Sequence, residues 1–192
     1  MTRRLASLAR AAMFGAIALT GCGQSTIYNS MTSTAYRSYI YGQGYGFDLS
    51  TRDLNTIVLG NPFDLEQQQM AERLLAKFNA RATLPQPTRF TTTPGPSARP
   101  EFKFVLLFNR AVVLPNAVCR APDQVPPAEL GSTMRLTATF CHYASYLTTV
   151  TGELENLTAI DDPSFDRLIG QMAPLLFPRS NRPARTMGAG VS

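Results

Sequence analysis

Hydrophobic and polar positions alternate in patterns that predict four strands and two helices between residues 51 and 178. The strands are expected at 54–60, 101–114, 134–141 and 143–154, and the helices at 64–82 and from 163 onward. Segment 101–114 is apolar on both faces, as in a central strand, whereas segment 134–141 alternates between apolar and polar residues. This pattern predicts an α+β fold: a two-layer sandwich with a mainly antiparallel sheet of about four strands and two helices on one face.

Both predicted helices carry an apolar stripe and a start signal. The stripe positions are Ala71, Leu74, Leu75, Phe78 and Ala82 in the first helix, and Phe165, Leu168, Ile169 and Met172 in the second. Asp64, with Gln67 three residues later, is typical of a capping box. Asp162 before Pro163 is typical of a capped helix start, and Pro174 is expected to end that helix within a turn.

The segments outside this pattern predict flexible connections. Residues 22–50 are expected to form a flexible tether that continues into a Tyr/Gly-rich segment. Its tyrosines either dock on the domain or contact a partner, and they are Tyr36, Tyr39, Tyr41 and Tyr45. The Pro/Thr-rich residues 83–100 predict a loop without regular elements, and residues 179–192 predict a flexible basic tail carrying Arg179, Arg182 and Arg185. The single globular domain is therefore expected to span residues 51–178.

The first 21 residues have the features of a secretory signal. Three arginines precede the apolar run 11–20, which is shorter than the roughly 20 residues that a membrane-spanning helix needs. The four residues Leu19–Cys22, "LTGC", resemble the lipobox of bacterial lipoproteins. This resemblance implies cleavage before Cys22, diacylglycerol on its thiol and acylation of the new amino terminus. An ordinary secretory signal with a chance cysteine, or a retained membrane anchor, is the alternative.

The same resemblance implies a location. Two or more acyl chains hold a protein durably on a membrane, so the membrane is the first expected partner, through acylated Cys22. Gly23 follows the cysteine, where an aspartate would retain a lipoprotein in the inner membrane of enteric bacteria. The chain is therefore expected to lie at the periplasmic face of the outer membrane.

Net charge gives no indication of a nucleic-acid partner once the signal is removed. The full chain has 18 Lys and Arg residues against 13 Asp and Glu residues, a net charge of +5. Three of the arginines belong to residues 1–21, which contain no acidic residue, so the remainder has a net charge of +2. A nucleic-acid-binding domain is usually far more basic.

The two cysteines outside the lipobox suggest a structural bridge. An oxidising periplasm favours a disulfide between Cys119 and Cys141, which would close a 23-residue loop. Two buried free thiols are the alternative. A metal site is not expected, because His142 is the only histidine of the chain.

Residues for catalysis or cofactor binding are not evident in the sequence. His142 has no nucleophile motif nearby, and the paired carboxylates Asp161/Asp162 and Glu153/Glu155 suit a helix cap and a strand end. No cofactor motif is present. The sequence thus favours a non-catalytic, lipid-anchored accessory or scaffold component of an outer-membrane or secretion assembly, with envelope protein partners. The alternative is a lipoprotein that binds a small ligand or a cell-wall glycan in a pocket.

Overall fold

Six strands and four α-helices make up the part of the chain that the computed structural model describes, residues 25–41, 52–82, 84 and 88–178. In chain order they are β1 (Ser25–Thr32), α1 (Ala35–Tyr41), β2 (Arg52–Leu59), α2 (Gln67–Arg81), β3 (Thr88–Thr91), β4 (Phe102–Phe108), α3 (Pro115–Arg120), β5 (Thr133–His142), β6 (Ser145–Glu155) and α4 (Pro163–Leu176). A short 3-10 turn at Pro122–Gln124 follows α3. Within these ranges no helix has the length and apolar character needed to cross a membrane.

All six strands form one mixed sheet in the order β1-β6-β5-β4-β2-β3. Strands β1, β6, β5 and β4 pair antiparallel, whereas β2 pairs parallel with both β4 and β3. The fold is α+β, but the predicted sheet of about four mainly antiparallel strands with two helices on one face is wrong. The sheet has more strands, it is mixed, and it is covered on both faces.

Strand β4 lies inside the sheet because both of its faces are apolar. Phe104 and Leu106 belong to the large core on one face, and Val105 and Leu107 belong to a smaller core on the other. All four side chains are buried. The predicted central position of this segment is confirmed.

The large core lies between the sheet and helices α1, α2 and α4. The apolar stripes of α2 and α4 fill it, together with phenylalanines of β3, β4 and β5; the rings of Phe90 and Phe104 are tilted against each other, and those of Phe102 and Phe140 are stacked. Gly152 of β6 lets α4 approach the sheet, since a Cβ there would lie 2.5 Å from the Leu168 side chain. The predicted buried stripes are confirmed except at Ala82, which is the C-cap of α2 and is only partly buried.

The opposite face is covered by the segment that contains α3. Val118, Cys119 and Val125 pack there against β4 and β5. A disulfide joins Cys119 to Cys141 of β5, with a Cα–Cα distance of 5.7 Å. The predicted bridge is present, and it fastens this cover covalently to the sheet.

Residues 25–41, predicted as part of a tether, are folded, so the predicted domain start at residue 51 is wrong. β1 is polar because it is an edge strand whose side chains are half-buried at most, which leaves no apolar periodicity to detect. In α1, Tyr36 and Ile40 lie four residues apart and enter the large core.

The Pro/Thr-rich segment is also more ordered than predicted, because it contains strand β3. The Asn79 side chain of α2 accepts a hydrogen bond from the Phe90 backbone N–H at 2.9 Å and donates one to its carbonyl at 3.1 Å. Phe90 itself is buried. Contacts distant in sequence therefore stabilise a strand that local composition disfavours.

The two long helices differ in how they start. Asp162 accepts a hydrogen bond from the Ser164 backbone N–H at 2.7 Å, with Pro163 at the first helical position, as predicted for α4. The predicted capping box of α2 is wrong: Glu66 is the N-cap without a side-chain bond, and the Gln67 side chain donates to the Val58 carbonyl instead. Helix α4 ends at Leu176, within a turn of Pro174, as predicted.

Candidate functional site

Basic side chains collect at one end of the sheet. Strands β2 and β4 begin at this end, α2 and α3 finish there, and α1 packs across it. We call this set the basic end, and its members are Arg37, Arg52, Arg81, Lys103 and Arg120. The set spans both faces of the sheet, since Arg81 lies in the groove between α2 and α4 and Arg120 belongs to α3 on the opposite face. None of the five forms a salt bridge with another residue of the described ranges. Two of them donate instead to backbone carbonyls: Arg52 to that of Ser97 at 3.3 Å and Arg120 to that of Asn116 at 3.4 Å.

Two described carboxylates at the same end, Asp53 and Glu101, are already paired. Arg89 makes two 2.9 Å hydrogen bonds to the Asp53 carboxylate, and the Gly95 N–H adds a third at 2.7 Å. These donors hold the pKa of Asp53 below its ordinary value of 3.8. Glu101 pairs with Arg99 at 3.3 Å. Because Asp53 and Glu101 are paired with Arg89 and Arg99, they leave the charge of the basic end largely uncompensated.

Acidic side chains collect at the opposite end of the sheet. Here β2 and β4 finish, β5 begins and α2 starts. We call this cluster the acidic end: Asp64, Glu66, Glu129 and Glu155, all of them exposed. Nearby, Glu153 is paired with Arg135 at 2.7 Å. Arg110, just after β4, also lies at this end, and its guanidinium donates to the Val125 carbonyl at 2.9 Å. The four exposed carboxylates outnumber it, so the two ends differ in charge over about 25–30 Å, the length of a strand of eight to ten residues.

A shallow cleft opens at the basic end beside the disulfide. Its volume is about 290 Å³, and its lining residues are Pro100, Glu101, Lys103, Cys119, Arg120, Tyr143 and Ala144. Tyr143, in the turn between β5 and β6, has a backbone φ of 49° and is 67% exposed. Its N–H donates to the Glu101 carbonyl at 2.7 Å, which fixes the turn. The cleft thus presents two cations beside an exposed aromatic ring.

The tyrosines that the sequence singled out have different positions. Tyr36 is 1% exposed, so it is a core residue and has no surface to offer a partner. Tyr39 packs on Phe102 and His142, with ring centroids 6.0 and 4.2 Å away. Docking on the domain is therefore the correct alternative for Tyr36 and Tyr39. The Tyr41 side chain, Tyr45 and Cys22 lie outside the described residues.

His142 lies among aromatic rings at the basic end. Burial lowers its pKa below the ordinary value of 6.5, and Glu101 opposes this shift. Its neighbours Tyr39, Phe102 and Tyr143 lie 4.2 to 4.8 Å away, centroid to centroid. This environment favours a packed, neutral imidazole.

Three of the four carboxylates considered for catalysis have structural partners, and the fourth, Glu155, is exposed. Asp161 pairs with Arg73 at 3.0 Å and with Lys77 at 3.5 Å, in a groove of about 370 Å³ between α2 and α4. Asp162 caps α4, and its hydrogen bonds from Ser164 lower its pKa. In residues 25–41, 52–82, 84 and 88–178 no three His, Cys, Asp or Glu side chains are grouped to hold a metal ion.

The basic end is the feature that sequence reasoning missed. Its residues are scattered over five elements, and they come together only because parallel strands β2 and β4 begin at the same end of the sheet. The sequence contains a partial indication of this set. Arg52 and Lys103 stand at the first and second positions of β2 and β4, and Arg81 and Arg120 at the last positions of α2 and α3.

Comparison with known proteins identifies no family. No protein-family model and no curated protein sequence matches this chain. Among solved structures it is similar to PelC dodecamers from Paraburkholderia phytofirmans in two crystal forms, each at 9% identity and a TM-score of 0.38. The matches cover 81% and 80% of this chain and 100% and 98% of the PelC chains. At that TM-score the likeness supports no conclusion about function.

Proposed function

We propose that this protein is a lipid-anchored lipoprotein of the bacterial cell envelope that works as a non-catalytic accessory or scaffold component. Acylated Cys22 holds it on the periplasmic face of the outer membrane. The folded domain binds an acidic envelope protein through its basic end. The observation that carries the proposal is the set of five basic side chains at one end of the sheet, with no salt bridge to another described residue.

The compartment is supported by the lipobox-like "LTGC" and by the disulfide. Structural disulfides persist in oxidising compartments such as the periplasm, and they are rare in a reducing cytosol. Cys119 of α3 and Cys141 of β5 are both buried, as expected for a structural disulfide. A thiol that served catalysis would need access to its substrate.

The chemistry of the partner follows from the charge pattern. Exposed charges steer an oppositely charged partner and reject a like-charged one, within a Debye length of about 8 Å at physiological salt. Arg37 and Arg120 are exposed at the basic end, and Tyr143 lies next to Arg120 as an aromatic contact surface. Arginine and tyrosine are the residue types enriched where protein partners meet.

A small-ligand or glycan site in the cleft is the second candidate. The exposed Tyr143 ring beside Lys103 and Arg120 is the observation that favours it. However, about 290 Å³ is at the lower limit of the roughly 300–1,000 Å³ that ligand pockets occupy, and such pockets are mostly apolar. A shallow charged cleft agrees better with a protein surface.

Charge reversal at the two ends of the sheet tests the proposal. The first variant combines Arg37→Glu with Arg120→Glu, and the control combines Glu129→Arg with Glu155→Arg; all four side chains are exposed. The first variant lowers the net charge of the chain, and the control raises it by the same amount. Cells are treated with a chemical cross-linker, the protein is purified by a tag from detergent-solubilised membranes, and co-purifying proteins are quantified.

We expect one acidic partner in a stoichiometric amount with the wild type and the control. Recovery should fall about tenfold for the basic-end variant, since each reversal replaces an attraction by a repulsion of up to about 1 kcal/mol. Recovery should also fall at high salt. Equal recovery from both variants would contradict the proposal. A monomeric protein that a cell-wall fragment stabilises thermally would favour the second candidate instead.

A further inference from the structure

The structure places the proposed anchor point next to the folded sheet. β1 begins at Ser25, so only Gly23 and Gln24 separate it from Cys22. Three consecutive residue steps span at most about 10 Å even when fully extended. The first residue of β1 must therefore lie within about 10 Å of the acylated cysteine.

Ser25 has a fixed position at one end of the sheet. It lies opposite Leu154, the last residue but one of β6, and β1 pairs with β6 along its length. Its hydroxyl also donates to the Gln171 side chain of α4 at 3.3 Å. The neighbouring strand ends carry Glu155 and Thr133, so this is the acidic end. The start of β1 consequently cannot move without the rest of the domain.

We infer that the bilayer surface covers the acidic end of the sheet, and that the basic end faces away from the membrane into the periplasm. This inference rests on the lipid anchor of the proposed function. The bilayer is the surface that covers this end because the chain between Cys22 and Ser25 is short and joins the fold at the acidic end. The basic end then stands about 25–30 Å further from the lipid, where it can reach a soluble or membrane-embedded partner.

Electrostatics alone would favour the opposite arrangement. Anionic headgroups attract basic side chains and repel the exposed carboxylates Asp64, Glu66, Glu129 and Glu155. Covalent attachment keeps the start of β1 at the surface against this preference, since several acyl chains hold far more strongly than screened charges repel and the link is at most about 10 Å long. The short linker thus sets an orientation that a long linker would not.

Depth-dependent fluorescence quenching tests this orientation. Ser132→Cys places a dye at the acidic end and Ser38→Cys places one on α1 at the basic end; both serines are exposed, and the substitution is the same. The lipidated full-length protein is reconstituted in vesicles of three parts phosphatidylethanolamine to one part phosphatidylglycerol, with a nitroxide quencher on the headgroups.

We expect most of the emission to be lost from the Ser132→Cys protein and little from the Ser38→Cys protein. Inserting 20 Gly/Ser residues between Gln24 and Ser25 gives a linker of about 25 Å root-mean-square length, and it should abolish this difference. Equal quenching at both positions, or stronger quenching at Ser38→Cys, in a chain that still floats with the vesicles would overturn the inference and leave the anchor intact. A wild-type chain without acyl groups that stays in solution would instead contradict the proposed function.

Discussion

The disulfide allows the most quantitative prediction, because it closes a loop of known length. Cys119 and Cys141 are separated by 22 positions, and removing the bridge frees the intervening chain in the unfolded state. Loop-closure entropy for 23 residues corresponds to about 3 kcal/mol at 25 °C. The double variant Cys119→Ala, Cys141→Ala should lose about this much free energy of unfolding. For a domain of about 150 residues, this loss lowers Tm by roughly 6–12 °C.

Urea unfolding followed by circular dichroism measures the effect, with and without a reducing agent. The transition midpoint of the reduced wild type should fall to near that of the double variant, because both lack the same bridge. Val125→Ala serves as the control, since Val125 packs in the same small core but closes no loop. The free energy of unfolding of this control should still fall by about 3 kcal/mol when its disulfide is reduced. A loss below about 1 kcal/mol on reduction of the wild type would refute the loop-closure reasoning.

Three further predictions concern helix capping and titration, and urea unfolding over a range of pH checks each. Asp162→Ala should lower the free energy of unfolding by about 1 kcal/mol because it removes the α4 cap, whereas Asp161→Ala should lower it by less. Equal losses for the two variants would contradict the capping role. The folded-state pKa of Asp53 is lowered, so its contribution to stability is present above about pH 4 and lost as the pH falls further. Asp53→Asn should therefore flatten the acid limb of the stability curve, and an unchanged limb would contradict the assignment. The folded-state pKa of His142 is lowered by burial, so protonation favours the unfolded chain, and stability should fall as the pH drops through 6.5. His142→Phe should remove that decrease, and a decrease that persists would show another group to be responsible.

The sequence predicts those elements whose signal is local. Asp162 and Pro163 mark the start of α4, and apolar residues on both faces of 102–108 place β4 inside the sheet. In such segments burial dictates the residue type position by position, so the pattern can be read directly.

The elements that the sequence missed depend on distant partners. β1 is an edge strand with little buried area, and it exists because β6 offers a free edge for hydrogen bonding. β3 is held by the Asn79 side chain and by the burial of Phe90. α1 is short, and two of its described side chains, Tyr36 and Ile40, are buried in the core. α3 is also absent from the predicted elements, and it packs on the sheet through Val118 and the Cys119–Cys141 disulfide. Tertiary contacts override weak local preferences in all four.

The candidate site also combines one feature that the sequence predicts with one that it does not. The disulfide follows from counting cysteines and from the compartment that the signal implies. The basic end does not, because its arginines and Lys103 are far apart in the chain, and no local pattern distinguishes them from solvated surface charges. Arg52 and Lys103 lie at one end because β2 and β4 run parallel, and the sequence alone does not reveal that pairing.

The central claim is that Cys22 carries the lipid that holds this domain at the membrane. Mass spectrometry of the chain extracted from the cell envelope, after metabolic labelling with palmitate, tests it most directly. We predict a mature amino terminus at Cys22 that bears acyl chains and the label, and a Cys22→Ala chain that keeps its leader and takes up no label. An unmodified leader on the wild-type chain, or normal labelling of Cys22→Ala, would contradict the account.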